Sequence, residues 1–171
     1  MSNPEIQRFK EMSNSPDWKL MYNVLIREAH EGDFSAIGNL IKNELGYSDL
    51  GFTALFDRLR LIESSSSYKT YVAVNDTKIV GFIGLLRYIT YERDYECLRI
   101  LAMAVSQEQQ SKGIGSKLLR KAEQFAVESN ISNVMVTSNM KRSDAHKFYE
   151  RNDYVKKSYG FFKTILECKN I

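Results

Sequence analysis

Residues 105–116 have the sequence VSQEQQSKGIGS, and this stretch decides the fold. The apolar run ECLRILAMAV at 96–105 precedes it and predicts a buried strand, while an amphipathic helix is predicted from Lys112 to Ser129. The first N–H groups of a helix lack internal partners, and glycine lets an anion approach the backbone closely. The stretch therefore predicts a phosphate-binding turn between a strand and a helix that opens on Gly113 and Gly115.

The spacing of these two glycines excludes two common nucleotide-binding motifs. A GxGxxG fingerprint requires a third glycine at the position where this chain has Leu118. A P-loop requires four residues between its two glycines, whereas here only Ile114 separates Gly113 from Gly115. The alternative without a ligand is that the glycines only let the helix pack tightly on the strand. Positive charge favours the phosphate interpretation, and it comes from Lys112, Lys117, Arg120 and Lys121.

The rest of the chain alternates between strand and helix patterns. Asp33 is predicted to N-cap the first helix, which Gly46 ends. One or two further strands are predicted within 154–167. Together these segments predict a mixed α/β (α+β) fold of order βααβββαβαβ(β), rather than a Rossmann repeat. The other predicted strands are 23–28, 68–74, 78–88 and 134–137, and the other predicted helices are 34–45, 52–62 and 143–151.

Composition indicates a globular protein. The 171 residues are 43% hydrophobic and 26% charged, with a formal net charge of +3. We expect a polar N-terminal extension at 1–21 and one domain at 22–171. The mild basicity argues against a nucleic-acid partner, and no apolar run is long enough to span a membrane. The N-terminus lacks an apolar signal core, so a cytoplasmic location is expected.

Cysteine and histidine are scarce. Cys97 and Cys168 do not form a CxxC pair, and the only histidines are His30 and His146. This usage predicts two free thiols and neither a disulfide framework nor a metal site.

Two motifs resemble those of one enzyme family. The segment QSKGIG at 110–115 resembles the Q/R-x-x-G-x-G/A signature of the GNAT N-acetyltransferase superfamily. The segment RSDAHKFYERNDY at 142–154 resembles its second motif, in which a helix carries A-x-x-F-Y-E before G-F/Y. The resemblance implies a mostly antiparallel central sheet flanked by helices. It also implies transfer of an acetyl group from acetyl-CoA to a primary amine, by direct attack in a ternary complex, and suggests a homodimer.

The resemblance also implies roles for individual residues. Main-chain groups of Met103 and Val105 would bind the pantetheine arm, and Tyr149 would lie beside the thioester sulfur as the proton donor. Arg142, at the start of the second motif, is a further predicted cofactor contact. The pyrophosphate would be wrapped by Gln110, Ser111, Lys112, Gly113, Ile114, Gly115 and Ser116.

The chain departs from the family pattern at two positions. Asp153 stands where the family has glycine, although aspartate tolerates a left-handed turn better than most residues. Thr137 stands where some relatives carry a glutamate base. The base must therefore come from elsewhere or be water. We predict Glu96, with Glu92 and Asp94 as alternatives, and each of the three also fits a solvated surface charge.

Several alternatives stay open at this point. Tyr149 at helical spacing from Ala145 also fits a core aromatic, and His146 fits a polar surface residue. An acyl-enzyme on Cys97 is disfavoured because no histidine is near it in sequence. The whole domain fits a non-catalytic acetyl-CoA-binding module as well as an enzyme. The acceptor is open among a polyamine, an aminoglycoside-like amine, an amino acid and a protein amine.

Overall fold

The computed structural model describes residues 24–49, 51–92 and 94–165. They form two compact units, 24–136 and 137–165. The second unit contains α4 (Ser143–Glu150). The first unit contains the strands β1 (Val24–Glu28), β2 (Tyr68–Asn75), β3 (Lys78–Tyr88), β4 (Cys97–Val105) and β5 (Val134–Val136), and the helices α1 (Phe34–Leu45), α2 (Phe52–Ser64) and α3 (Ile114–Glu128).

The five strands form one sheet in the order β1-β2-β3-β4-β5. The first three pairings are antiparallel, and β4 pairs with β5 in parallel. This confirms the predicted mixed and mostly antiparallel sheet. The hairpin between β2 and β3 turns through Asp76, whose φ of 55° is left-handed, a conformation that aspartate tolerates better than most residues.

The two faces of the sheet pack against different helices. Successive residues of a strand point to opposite faces. Val72 and Phe82 therefore join the core cluster of α1 and α2, whereas the ring of Tyr71 meets Phe125 of α3 edge-on, with the two ring centroids 6.3 Å apart. A Cβ on Gly81 would lie only 3.3 Å from Leu118 of α3. The absence of a side chain at that position lets α3 lie close to the end of β4.

An ion pair holds the junction between β1 and α1. Nη1 and Nη2 of Arg27 donate to the Asp33 carboxylate at 2.6 and 2.9 Å, and the His30 N–H donates to it at 3.0 Å. Asp33 precedes α1 as predicted, but its side chain makes no cap bond to that helix. Burial alone would raise the pKa of Asp33, yet the Arg27 and His30 hydrogen bonds outweigh it and leave the pKa lowered.

We expect Asp33→Asn to lower the free energy of unfolding by about 2 kcal/mol at pH 7, because hydrogen bonds to a charged group are lost in a buried position. Because the folded pKa is lowered, this contribution is complete above the unfolded pKa of about 3.9 and is lost as the pH falls through the folded pKa. Urea unfolding of both proteins at several pH values measures it. The control is Asp57→Asn at an exposed pair with Arg60, which should change little. Equal stability of wild type and Asp33→Asn at pH 7 would contradict this role.

The predicted strands near the C-terminus are not formed in the described residues. Residues 154–165 contain no strand, and Tyr159, Phe161 and Phe162 are exposed. Alternating apolar residues favour a strand, but a strand also needs a hydrogen-bonded neighbour, which a local pattern does not supply. The predictions for 1–21, Cys168 and the last residues of that strand region lie outside the described residues, so the domain boundaries stay a prediction.

Candidate functional site

The last part of β4 presents main-chain groups at an open edge. Ser106 N–H donates to Val80 O at 2.8 Å on the β3 side. Since an antiparallel ladder uses every second residue, Ala104 faces β3 too, whereas Met103 and Val105 direct their N–H and C=O groups to the other edge. Among the described residues, β5 pairs with β4 only at 98–100. The main chain at 103 and 105 therefore lies beyond the part of β4 that β5 covers.

A bulge marks where this open edge begins. Gly84 pairs with Ala102 and Leu85 with Ile100, so Leu101 is an extra residue in β4. A bulge bends its strand and increases the local twist. The pairing with β5 ends at Ile100, directly before the bulge.

The turn after β4 concentrates N–H groups at the start of α3. Ser111 and Gly113 both have left-handed backbones, with φ of 61° and 75°. The first bond of the helix runs from Lys117 N–H to Gly113 O at 3.1 Å. The N–H groups of Ile114, Gly115 and Ser116 consequently have no partner within the helix. Such a turn is an anion-binding concavity on which the helix dipole adds positive potential.

The main-chain and side-chain N–H groups of Gln110 donate hydrogen bonds to acceptors within the protein. Its main-chain N–H donates to Gln107 O at 3.3 Å. Its side-chain Nε2 donates to Val105 O at 3.0 Å and to Glu44 Oε2 at 3.3 Å. The geometry gives Gln110 an internal role, and its predicted contact with pyrophosphate stays a prediction.

The positive charges near the turn differ in their surroundings. Lys112 Nζ lies 3.5 Å from Gln109 Oε1. Burial lowers the pKa of Lys117, and the charge of Arg120 lowers it further. The ammonium of Lys121 lies 5.3 Å from the centroid of the Tyr71 ring, so it packs towards β2.

The three acidic residues proposed as bases lie at the opposite end of β4 from the turn. Glu92 and Asp94 are exposed in the loop before the strand. Glu96 precedes β4, roughly 30 Å from Val105 at the rise of an extended strand. Its Oε2 accepts a hydrogen bond of 2.7 Å from Arg87 Nε on β3.

Tyr149 lies on α4 in the second unit, among aromatic rings. Its ring centroid is 5.3 Å from that of Phe148 and 5.8 Å from that of Tyr154. Burial raises the pKa of Tyr149 above 10.0, and the charge of Arg142 opposes that rise. The phenol is therefore protonated at neutral pH.

Asp153 adopts the left-handed turn that was predicted for it, with φ of 64°. Tyr154 N–H donates to Tyr149 O at 3.0 Å, and Asp153 N–H donates to Glu150 O at 3.2 Å. These two bonds form a Schellman motif, in which glycine is the usual residue at the left-handed position. The departure from the family pattern thus preserves the turn after α4.

His146 and Cys97, the other two residues considered for catalysis, are held in contacts within the fold. His146 Nε2 lies 2.9 Å from Asn139 O, and Cys97 is a buried free thiol. Within 24–49, 51–92 and 94–165, no group of three or more His, Cys, Asp or Glu residues is arranged to hold a metal ion. No helix in these ranges is long and apolar enough to cross a membrane.

Comparisons with known proteins agree on one family. The sequence pattern of the Acetyltransferase (GNAT) family matches residues 25–154. The chain is 29% identical over 134 residues to an aminoalkylphosphonate N-acetyltransferase of Salmonella typhimurium, which covers 77% of this chain and 82% of that protein.

Solved structures share the fold at similar identity. A transcriptional regulator from Bacillus halodurans superposes with a TM-score of 0.76 at 25% identity, over 83% of this chain and 99% of that one. A GNAT family acetyltransferase from Staphylococcus aureus gives a TM-score of 0.68 at 26% identity, over 84% and 99%. Because the family pattern matches residues 25–154, most of this chain, the chain belongs to the GNAT acetyltransferase family.

Proposed function

We propose that this protein is an N-acetyltransferase that moves an acetyl group from acetyl-CoA to a primary amine, by direct attack in a ternary complex. The observation that carries the proposal is the array of N–H groups at the start of α3, which follows directly on the open edge of β4. A diphosphate fits the N–H groups at the start of α3, and an extended arm that carries amide groups fits the open edge of β4. The similarity to an N-acetyltransferase supports the same reaction.

Acetyl-CoA would be held mainly by main-chain groups. Its pyrophosphate would accept hydrogen bonds from the turn at 111–116, with Lys112 and Arg142 adding positive charge. Its pantetheine arm would pair with Met103 and Val105 along the open edge of β4. Acetyl-CoA supplies the thioester carbonyl that the amine attacks.

The chemistry requires two proton movements. An alkyl amine is mostly protonated at pH 7 and must lose a proton before its nitrogen forms the new C–N bond. We propose that Glu96, through Oε1 or ordered water, accepts that proton. As the C–S bond breaks, the thiolate takes a proton from the Tyr149 hydroxyl. An N–H at the open edge of β4 would stabilise the oxyanion.

The acceptor is proposed to be a small primary amine. The Salmonella relative is named for aminoalkylphosphonates, which combine an amine with an anionic group. This class is therefore the first to test, together with polyamines, aminoglycosides, amino acids and peptide amines. A homodimer and a cytoplasmic location stay predictions.

We expect acetyl-CoA to raise the melting temperature in the absence of added metal. At a hundred times its dissociation constant, a ligand that binds only the folded state adds about 2.7 kcal/mol. Thermal melts with acetyl-CoA, with EDTA and with both measure this effect. An unchanged melting temperature at saturating acetyl-CoA, or a collapse in EDTA, would contradict the proposal.

A non-catalytic acetyl-CoA-binding module is the second candidate. The similar Bacillus halodurans structure is described as a transcriptional regulator, and this description supports testing for a binding function without catalysis. A thiol-release assay over the amine panel separates the two functions. Stabilisation by acetyl-CoA without thiol release on any amine would indicate the binding module.

A further inference from the structure

Glu44 connects α1 to the turn that precedes α3. Its Oε1 accepts the Gln107 N–H at 3.0 Å, and its Oε2 accepts from Gln110 Nε2 at 3.3 Å. The same Nε2 donates to Val105 O at 3.0 Å. These four residues are called the Glu44 clasp. It joins the end of β4, the start of the turn and the helix on which Glu44 lies.

The hydrogen bonds of the clasp require a carboxylate at position 44. The two N–H bonds of the Gln110 amide go to Glu44 and to Val105 O, and the Gln107 N–H uses the second Glu44 oxygen. Glu44 thus accepts at both oxygens, which an ionised carboxylate does and an amide does not. Bonds to a charged acceptor are also stronger than neutral ones.

The clasp sets the path of the chain into the proposed phosphate site. Gln110 is followed after one residue by Lys112 and then by Gly113, the N-cap of α3. With Val105, Gln107 and Gln110 all held, little freedom is left between β4 and the first turn of α3. We infer that Glu44 is a positioning residue for acetyl-CoA, an inference that rests on the proposed function.

The negative charge of Glu44, considered alone, would weaken acetyl-CoA binding, whereas its positioning role would strengthen it. A carboxylate near a diphosphate repels it, so removing that charge would tighten binding if electrostatics dominated. Loss of the clasp would instead weaken binding, because the N–H groups would have to be ordered when the ligand arrives. The sign of the change in affinity therefore separates the two effects.

The test measures acetyl-CoA affinity by calorimetry and steady-state rates for Glu44→Ala, Gln110→Ala and the double variant. We expect Glu44→Ala to raise Kd and the KM for acetyl-CoA about tenfold, with kcat within about twofold. The double variant should resemble the weaker-binding single variant rather than multiply the two effects, because both residues act through one network. The control is Glu108→Ala, which removes an exposed negative charge from the same turn and should leave Kd unchanged or slightly lower.

Hydrogen exchange on the ligand-free protein gives a second readout. Glu44→Ala should speed amide exchange in 106–113 while the exchange of β2 and β3 stays as in wild type. A tighter or unchanged Kd in Glu44→Ala, with wild type binding normally, would overturn the positioning role alone. A wild type that does not bind acetyl-CoA at all would overturn the proposed function and this role with it. Multiplicative effects in the double variant would show that Glu44 and Gln110 do not act together.

Discussion

Tyr149→Phe is expected to lower kcat about a hundredfold while the affinity for acetyl-CoA stays unchanged. The substitution removes only the hydroxyl, so the ring contacts with Phe148 and Tyr154 are retained. A phenol with a pKa near 10 can protonate a departing thiolate with a pKa of about 8.5, although the transfer is uphill by about 2 kcal/mol and must be coupled to breaking of the C–S bond. Burial raises the pKa of Tyr149, which keeps the donor protonated across the neutral range. Water replaces part of the lost donor, so we expect the lower end of the usual range for a general acid.

Steady-state rates at saturating acetyl-CoA, on any accepted amine, measure this effect. The matched control is Tyr159→Phe, which removes a hydroxyl from an exposed tyrosine and should leave kcat unchanged. A role in core packing predicts a nearly unchanged rate with a small loss of stability. If kcat of folded Tyr149→Phe stays within about twofold of wild type, Tyr149 packs the helix and does not donate the proton.

Gly113→Val is expected to weaken acetyl-CoA binding by about a hundredfold or more, because several N–H bonds to a charged group are displaced together. Gly113 has φ of 75°, which a β-branched residue adopts only with strain. A valine there would shift the first turn of α3 and place methyl groups where the phosphate should lie. Gly115→Val should also block the phosphate, although Gly115 lies within the helix.

Graded substitutions separate backbone strain from blocking of the site. Asparagine tolerates the left-handed region, so Gly113→Asn should lose less affinity than Gly113→Val. Lys112→Ala should be milder still, because its charge is partly screened by salt. Calorimetric titration, with circular dichroism to confirm folding, gives the ranking. Normal affinity in folded Gly113→Val and Gly115→Val would mean that the turn is only structural.

The sequence by itself determined the parts of this protein that depend on neighbouring residues. The predicted helix at 112–129 is observed as Ile114–Glu128, and the predicted strand at 96–105 as Cys97–Val105. The left-handed turn at Asp153 was also predictable. In each case the backbone preference and the apolar spacing lie within one segment, so a local pattern contains the information.

Only the tertiary structure decided which distant groups meet. Glu44 carries no local signal, because its partners lie 63 and 66 residues further along the chain. The pairing of Glu96 with Arg87 and the bulge at Leu101 depend on the register between β3 and β4. The strand predicted after Tyr154 is not formed in the described residues, since a strand requires a paired neighbour as well as alternation. Side-chain partners and strand register are set by packing between elements, where sequence spacing gives no constraint.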